Sequence, residues 1–304
     1  MLPISRFGLG LAALGRPAYI NLGGDLPADR TVAALRAATW EVLDAAHAAG
    51  VRRVDAARSY GLAEEFLSGW LADRGPEGVS VSSKWGYAYV GQWRVDAPVH
   101  EAKEHSAERF LTQWAQTRAL LEVDLYQVHS LTADSPLFTD DALLDALAET
   151  AASGVRVGFS TSGPAQAETI RRGLALERSG VRLFTAVQST WNLFERSADA
   201  ALAEAHAAGV DVTVKEALAN GRLAATAPAA VQELADAHGV GPDAVALAAA
   251  AARPWADRVL LGPTSPAQLR SNLRAAELPT LPELPELTRE PQRYWAERSR
   301  LAWA

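Results

Sequence analysis

Short runs of β-branched and aliphatic residues alternate with longer amphipathic segments along almost the whole chain. The runs fall at 7–11, 51–55, 79–83, 125–129, 155–159, 183–187, 210–214 and 258–261. Strands buried on both faces read this way, because neither face needs polar alternation. Between them, segments near 31–49, 61–73, 106–121, 140–153, 164–179, 195–208, 228–238 with an addition at 243–253, and 266–276 space Ala, Leu and charged residues as helices do. Eight strand–helix units predict an α/β fold of the (β/α)8 TIM-barrel class, a single domain over 1–304 with a C-terminal extension from 277.

Local punctuation agrees with these boundaries. Thr31 can cap the first helix, and Asp140 and Asp141 put carboxylates beside the orphan amides that open the 140–153 helix. Gly50, Gly154, Gly180 and Gly209 each fall between a helix and the next strand. The opening GLGLAALG has glycines but neither the GxGxxG spacing nor an immediate helix, so a doubly wound nucleotide-binding sheet is rejected. The alanine run at 248–252 reads as a closely packed helix. From Glu277 onward prolines interrupt the pattern before Tyr294, Trp295 and Trp303. This tail either folds over one mouth of the barrel, covering the active site, or packs on its outside.

Composition narrows the chemistry. With 304 residues, 49% of them hydrophobic, the chain can bury a large core, and the absence of cysteine removes disulfides, thiolate nucleophiles and thiolate metal sites. A net charge of -7 argues against a nucleic-acid partner. No uninterrupted 18-residue apolar run or export-signal pattern occurs, so the expectation is a cytoplasmic protein with no membrane partner. The six histidines form no strand-end ligand group, so no metal is expected. Oligomeric state is not encoded in any pattern here.

In a barrel, chemistry belongs at the C-terminal ends of the strands. Asp55 ends one strand, Tyr60 follows five positions later, Lys84 ends VSVSSKW's strand and His129 ends DLYQVH. Singly, each has an ordinary structural use as a loop cap, a packed ring, an ion pair or a buried hydrogen-bonding group. Jointly they form a proton-transfer set, in which Lys84 eases phenolate character on Tyr60, Asp55 holds Lys84, and His129 donates to a carbonyl.

The set, with its D-x4-Y spacing and the GLGLAALG opening, resembles the aldo-keto reductase family over about residues 5–275. That resemblance implies an NAD(P)-dependent oxidoreductase: hydride passes reversibly between nicotinamide and an aldehyde or ketone, with Tyr60 as general acid/base and Asp55, Lys84 and His129 completing the catalytic group. It further implies a cofactor site. GFSTSG supplies Ser160, with Thr161 where an Asn is usual; AVQSTWN supplies Gln188 and Trp191, the latter as an aromatic face for nicotinamide; and KEALANGRL supplies Leu218 and Gly221. Here Glu216 departs from the family's serine and would oppose a pyrophosphate unless paired, with Lys215 or Arg222 as the nearby cations. LGPTSPAQLRSN supplies Gly262, Thr264, Ser265, Gln268 and Asn272 for the adenosine end. The resemblance favours NADP; because no Lys or Arg stands beside Gly262 or Gln268, NAD or dual use stays open. Trp85 and Trp93 are expected walls of the substrate site, with Tyr87 and Tyr89 nearby, for a small aldehyde, ketone or alcohol. Two alternatives remain, a Schiff-base aldolase using Lys84 or Lys215 and a catalytically weak, cofactor-binding regulatory protein.

Overall fold

The computed structural model describes residues 1–24, 26–279, 284 and 286–303; positions 280–283, 285 and 304 of the tail lie outside the described residues. Eight parallel strands close into a barrel: β1 (Phe7–Gly10), β2 (Arg53–Asp55), β3 (Ser80–Trp85), β4 (Leu125–Leu131), β5 (Arg156–Thr161), β6 (Ala186–Thr190), β7 (Asp211–Lys215) and β8 (Arg258–Leu261). They pair in chain order, and the register Phe7↔Val259 and Leu9↔Leu261 joins β1 to β8.

The surrounding helices are α1 (Val32–Ala48), α2 (Ala63–Arg74), α3 (Ala107–Leu120), α4 (Asp141–Ala152), α5 (Gln166–Leu174), α6 (Asp199–Ala207), α7 (Ala229–His238), α8 (Pro242–Ala251) and α9 (Pro266–Leu273). Thr31 caps α1 by accepting from the Ala34 amide, and Asp140 caps α4 by accepting from the Leu143 amide. The alanine run lies in α8, which is buried almost all round and packs against α7 and α9; small side chains let these backbones approach.

Three local differences from the sequence expectation have physical causes. The expected 164–179 helix stops at Leu174, because Ser179 and Gly180 both adopt left-handed φ values (53° and 73°) and turn Glu177–Arg178 back onto Val181–Arg182 as a short antiparallel hairpin. Strand β6 consequently starts at Ala186, three residues later than expected. The expected 195–208 helix begins at Asp199, since the Asn192 side chain accepts from the Phe194 and Glu195 amides and holds that stretch in a turn.

After β3 a second hairpin, Tyr87–Tyr89 against Glu101–Lys103, stands over the strand ends. The tail forms α10 (Pro291–Ser299), with Pro291 in its first turn and Glu290 capping the Gln292 and Arg293 amides. Tyr294 and Trp295 bury their rings, Tyr294 Oη accepts from Asn192 Nδ2 at 2.9 Å, and the Arg289 amide donates to the Phe194 carbonyl at 2.8 Å. These contacts dock the tail on the segment that follows β6. No helix among the described residues is long and apolar enough to cross a membrane.

Candidate active site

A cavity of about 330 Å³ opens at the C-terminal ends of the strands. Asp55, Tyr60 and His129 line one side of it, Gln188 and the 215–221 segment another, and Leu261 and Gly262 a third. Lys84 lies behind Tyr60, almost fully buried.

Two glycines fix the turn that presents Tyr60. A Cβ on Gly15 would lie 2.1 Å from the Tyr60 carbonyl oxygen, and one on Gly61 would lie 2.3 Å from the Gly15 carbonyl oxygen. Only glycine permits backbones to cross this closely. The Leu62 amide then donates to Gly15 O at 2.7 Å, which ties the β1 and β2 loops together.

Lys84 Nζ is ion-paired with Asp55, donates to Ala56 O at 2.9 Å and reaches the Tyr60 hydroxyl at 3.3 Å. Asp55 accepts further hydrogen bonds from Ser82 Oγ (2.7 Å), Gln188 Nε2 (3.2 Å) and Gln127 Nε2 (3.3 Å). Burial, and next the Asp55 carboxylate, raise Tyr60 well above the usual phenol range, with Arg16 acting in the opposite direction. The phenol is therefore a protonated donor at neutral pH. His129 stands edge-on to Tyr60 with ring centroids 5.4 Å apart. Burial, then the positive charges of Lys84, Lys215 and Arg16, hold it well below the usual imidazole range, so it stays neutral.

Behind this group sits Glu64 of α2, 1% exposed. Its carboxylate accepts from Arg58, from Ser83 Oγ and, at 3.0 Å, from Thr117 Oγ1. Arg58 precedes Tyr60 by two positions and its amide donates to Lys84 O at 3.0 Å; Ser83 adjoins Lys84. One buried carboxylate thus braces the loops that carry both reacting groups.

Several residues singled out in the sequence do not face the cavity. Trp85 is fully buried on the opposite face of β3 from Lys84, packed edge-on to Phe110 and His105; successive strand residues point to opposite faces, so it cannot be a substrate wall. Trp93 is held outside the cavity, donating from its indole to Arg30 O at 2.7 Å and packing on Phe66. Trp191 is buried against Trp255, with its indole donating to Asp199 at 2.9 Å, so no face is open to a nicotinamide. Ser160 Oγ accepts from the Ser130 amide at 2.8 Å, and Thr161 Oγ1 meets Ser189 Oγ at 2.7 Å. Asn272 is 4% exposed and donates to Asp243.

Others do line or adjoin the cavity. Gln188, Leu218, Gly221 and Gly262 are in its wall. A Cβ at Gly262 would meet nothing within 4 Å, whereas one at Gly221 would lie 2.1 Å from Leu22 O; the first glycine leaves room for a ligand, the second admits the β1 loop. Gln268 caps the approach to α9 by accepting from the Thr264 amide and hydroxyl and donating to Gly23 O; Ser265 accepts from the Gln268 amide at 3.2 Å.

Glu216 is paired, but chiefly with a partner distant in sequence. Arg298 of α10 takes both carboxylate oxygens through Nε and Nη2, while Lys215 stands 3.6 Å away. Arg222 instead bonds Ala219 O and approaches Glu297. Although burial alone would raise it, Glu216 is held well below the usual carboxylate range by Arg298 and Lys215. Burial brings Lys215 down to about 8, with Glu216 opposing.

Sequence reasoning missed Arg16, Tyr19, Glu101 and Asn220 in the wall, and of the tail it expected over the mouth or on the outside, Arg298 and Trp303 reach the wall. The Arg16 guanidinium pairs with Glu101 at 2.7 Å and lies over the rings of Tyr19, Tyr60 and Trp303. Trp303 stacks on His100 with centroids 4.2 Å apart and planes 9° apart. Arg16 was findable as a loop residue after a strand end; nothing in the periodicity marks Trp303. Among the described residues no group of three or more His, Asp or Glu side chains could hold a metal ion.

The residues present fit a dinucleotide. The cavity joins the Tyr60 side to the open space at Gly262, and the buried Asn220 Oδ1 in its wall has no hydrogen-bond partner among the described residues.

No curated protein matches the chain. Two solved structures described as aldo-keto reductases from Pseudomonas aeruginosa are similar in fold. One has 22% identity and a TM-score of 0.64 and covers 89% of each chain; the other has 21% identity and a TM-score of 0.63 and covers 89% of this chain and 88% of its own. A model of the aldo/keto reductase family matches residues 8–284, which takes in every barrel strand but the first residue of β1, and the chain belongs to that family.

Proposed function

We propose that this member is an NAD(P)-dependent oxidoreductase that reduces a small aldehyde or ketone, and oxidises the corresponding alcohol in reverse. The observation that carries the reading is the Tyr60 hydroxyl, protonated, 3.3 Å from an ammonium already committed to Asp55 and open to the cavity. A bound nicotinamide would supply the hydride. Tyr60 donates its proton to the carbonyl oxygen, and the Lys84 ammonium stabilises the phenolate left behind. Neutral His129 donates a hydrogen bond to the same oxygen, and Asp55 keeps Lys84 in place. Gln188 and Asn220 hold the carboxamide end, Leu218 and Gly221 the middle, and Gly262, Thr264, Ser265 and Gln268 the adenosine end.

Family membership favours NADP, and the lack of a Lys or Arg beside Gly262 or Gln268 keeps NAD in the comparison; relative kcat/KM with each cofactor decides it. Of the C-terminal segment's described residues, Arg298, Ser299 and Trp303 line the mouth, in keeping with a cover over the active site, and the proposed place of work is the cytoplasm. A turnover screen with NADPH and NADH against short sugars, aromatic aldehydes, ketones and pyridoxal tests the reading. Tyr60→Phe should lower kcat by about 10²-fold or more, and wild-type rates in that variant would refute the assigned proton donor. Imine chemistry has one supporting feature, the Lys215 amine lowered to about 8 in the cavity wall; trapping of substrate on Lys215 by borohydride would favour it.

A further inference from the structure

His129 faces the cavity from an irregular stretch of backbone. Between Val128 and Leu131 strand β4 takes three steps where β5 takes two, from Phe159 to Thr161, so one extra residue bulges out of the ladder. Ser130, the residue after His129, has a left-handed φ of 50° there. A bulge frees backbone groups from the opposite strand and leaves them to other partners. The peptide that joins His129 to Ser130 is held by a side chain at each end: His105 Nε2 meets the His129 carbonyl at 2.9 Å, and Ser160 Oγ accepts from the Ser130 amide at 2.8 Å. A carbonyl only accepts, so His105 carries its proton on Nε2 and takes a hydrogen bond at Nδ1 from Ser135 Oγ, 2.8 Å away. His105 is 3% exposed, and its ring lies so close to Gly86 that a Cβ there would come within 2.5 Å of it. The group that grips the His129 carbonyl is therefore itself fixed on two sides.

The imidazole of His129 is held as well. Its Nδ1 stands 3.3 Å from Ser59 Oγ, and Ser59 is fully buried just ahead of Tyr60 in the chain. That hydroxyl has no other hydrogen-bond partner among the described residues. Were Nδ1 protonated, the serine would accept from it and its own hydrogen would be stranded in the interior, which costs more than an unused lone pair. Ser59 therefore donates, Nδ1 accepts, and the proton of the neutral ring sits on Nε2, which has no hydrogen bond among the described residues. Carbonyl reduction needs that tautomer, because only an N–H can donate to the oxygen that gains charge. We propose that Ser59 and His105 are positioning residues: Ser59 keeps the His129 proton on Nε2, and His105 fixes the backbone that aims it. Both act through His129. Since Ser59 adjoins Tyr60, the loop that presents the proton donor also sets the tautomer of its neighbour. The proposal rests on the oxidoreductase reading above and adds to it two residues outside the catalytic group.

Nitrogen NMR of protein with isotopically labelled histidine rings tests it without any ligand, the His129 signals being those lost in His129→Gln. Wild type should show one His129 tautomer, protonated at Nε2; a proton on Nδ1 overturns the proposal. Ser59→Ala removes a single oxygen and should fold, with mixed tautomers at His129. With the fastest carbonyl of the screen above, its reductive kcat should fall about tenfold and KM stay nearly unchanged, because the donated bond strengthens as the oxygen becomes negative. Unchanged ring signals in Ser59→Ala, with kcat within about twofold of wild type, overturn the proposal. His105→Leu should lower kcat about tenfold by loosening the aim of His129, and His105→Gln, whose amide can place an N–H where Nε2 stood, should recover most of the loss. Equal losses in the two folded variants would overturn the role given to His105. Wild-type protein that shows the Nε2 tautomer yet transfers no hydride from NADPH or NADH to any carbonyl of the screen overturns the oxidoreductase reading, a result distinct from each failure above.

Discussion

The Tyr60 hydroxyl and the Lys84 ammonium stand 3.3 Å apart, yet the tyrosine is held in its protonated form. Burial, and next the Asp55 carboxylate, outweigh the opposing influence of Arg16. The sign follows directly: with the folded value above the ordinary phenol range, the donor form persists through neutrality and is lost only at strongly alkaline pH. Reductive kcat should be flat between about pH 6 and 9, while oxidation, which needs the phenolate, should climb across that range. Paired pH–rate profiles check this, and a reductive rate that falls through neutrality would contradict it.

Glu64 accepts hydrogen bonds from three elements at once. Glu64→Leu leaves the Arg58 guanidinium without its buried partner and should cost about 3–5 kcal/mol of stability, read by denaturant unfolding. The milder Glu64→Gln keeps the acceptor oxygen; it should fold, lower kcat and leave KM nearly unchanged, since it disturbs only the bracing behind Tyr60 and Lys84. An unchanged kcat would confine Glu64 to stability.

At Gly15 an added methyl meets the Tyr60 carbonyl oxygen at 2.1 Å. Gly15→Ala should destabilise by about 2 kcal/mol or more and displace the Tyr60 turn. Gly262→Ala is the contrast, because its Cβ meets nothing; its melting temperature should match wild type. Equal melting temperatures for the two variants would refute the crossing of backbones at Gly15.

The Glu216–Arg298 pair sets an acid limit. A carboxylate held below its ordinary value stabilises the fold fully above its unfolded pKa, near 4.5, and that contribution is lost as pH falls through the folded value, about 2. The loss should amount to about 3 kcal/mol. In Arg298→Met/Glu216→Gln the slope of stability between those pH values should shrink, as measured by urea unfolding at each pH; an unaltered slope would assign the acid sensitivity elsewhere.

Much of this architecture is legible in the sequence because strands buried on both faces leave continuous apolar runs, and the polar residues that end those runs must face the barrel mouth. That rule puts Asp55, Lys84 and His129 at the mouth, where Asp55 and His129 line the cavity and Lys84 lies behind Tyr60. The same alternation turns Trp85, the immediate neighbour of the inward-facing Lys84, outward. Trp191 and Asn272 are drawn into the protein by Asp199 and Asp243, through contacts that no local pattern reveals. In the tail, Glu290 followed by Pro291 is a helix-start signal in plain view. That Arg298 meets Glu216, 82 positions away, is tertiary information.

The seam between β1 and β8 has a consequence for how the protein is made. Phe7 pairs with Val259, so the first barrel strand to be synthesised waits with one edge unpaired until the last barrel strand has left the ribosome. Contacts of such long sequence separation form late and slowly, and an open parallel edge invites association with other chains in the interval. Expression yield should therefore depend on elongation rate and chaperone supply more than the stability of the finished barrel would suggest.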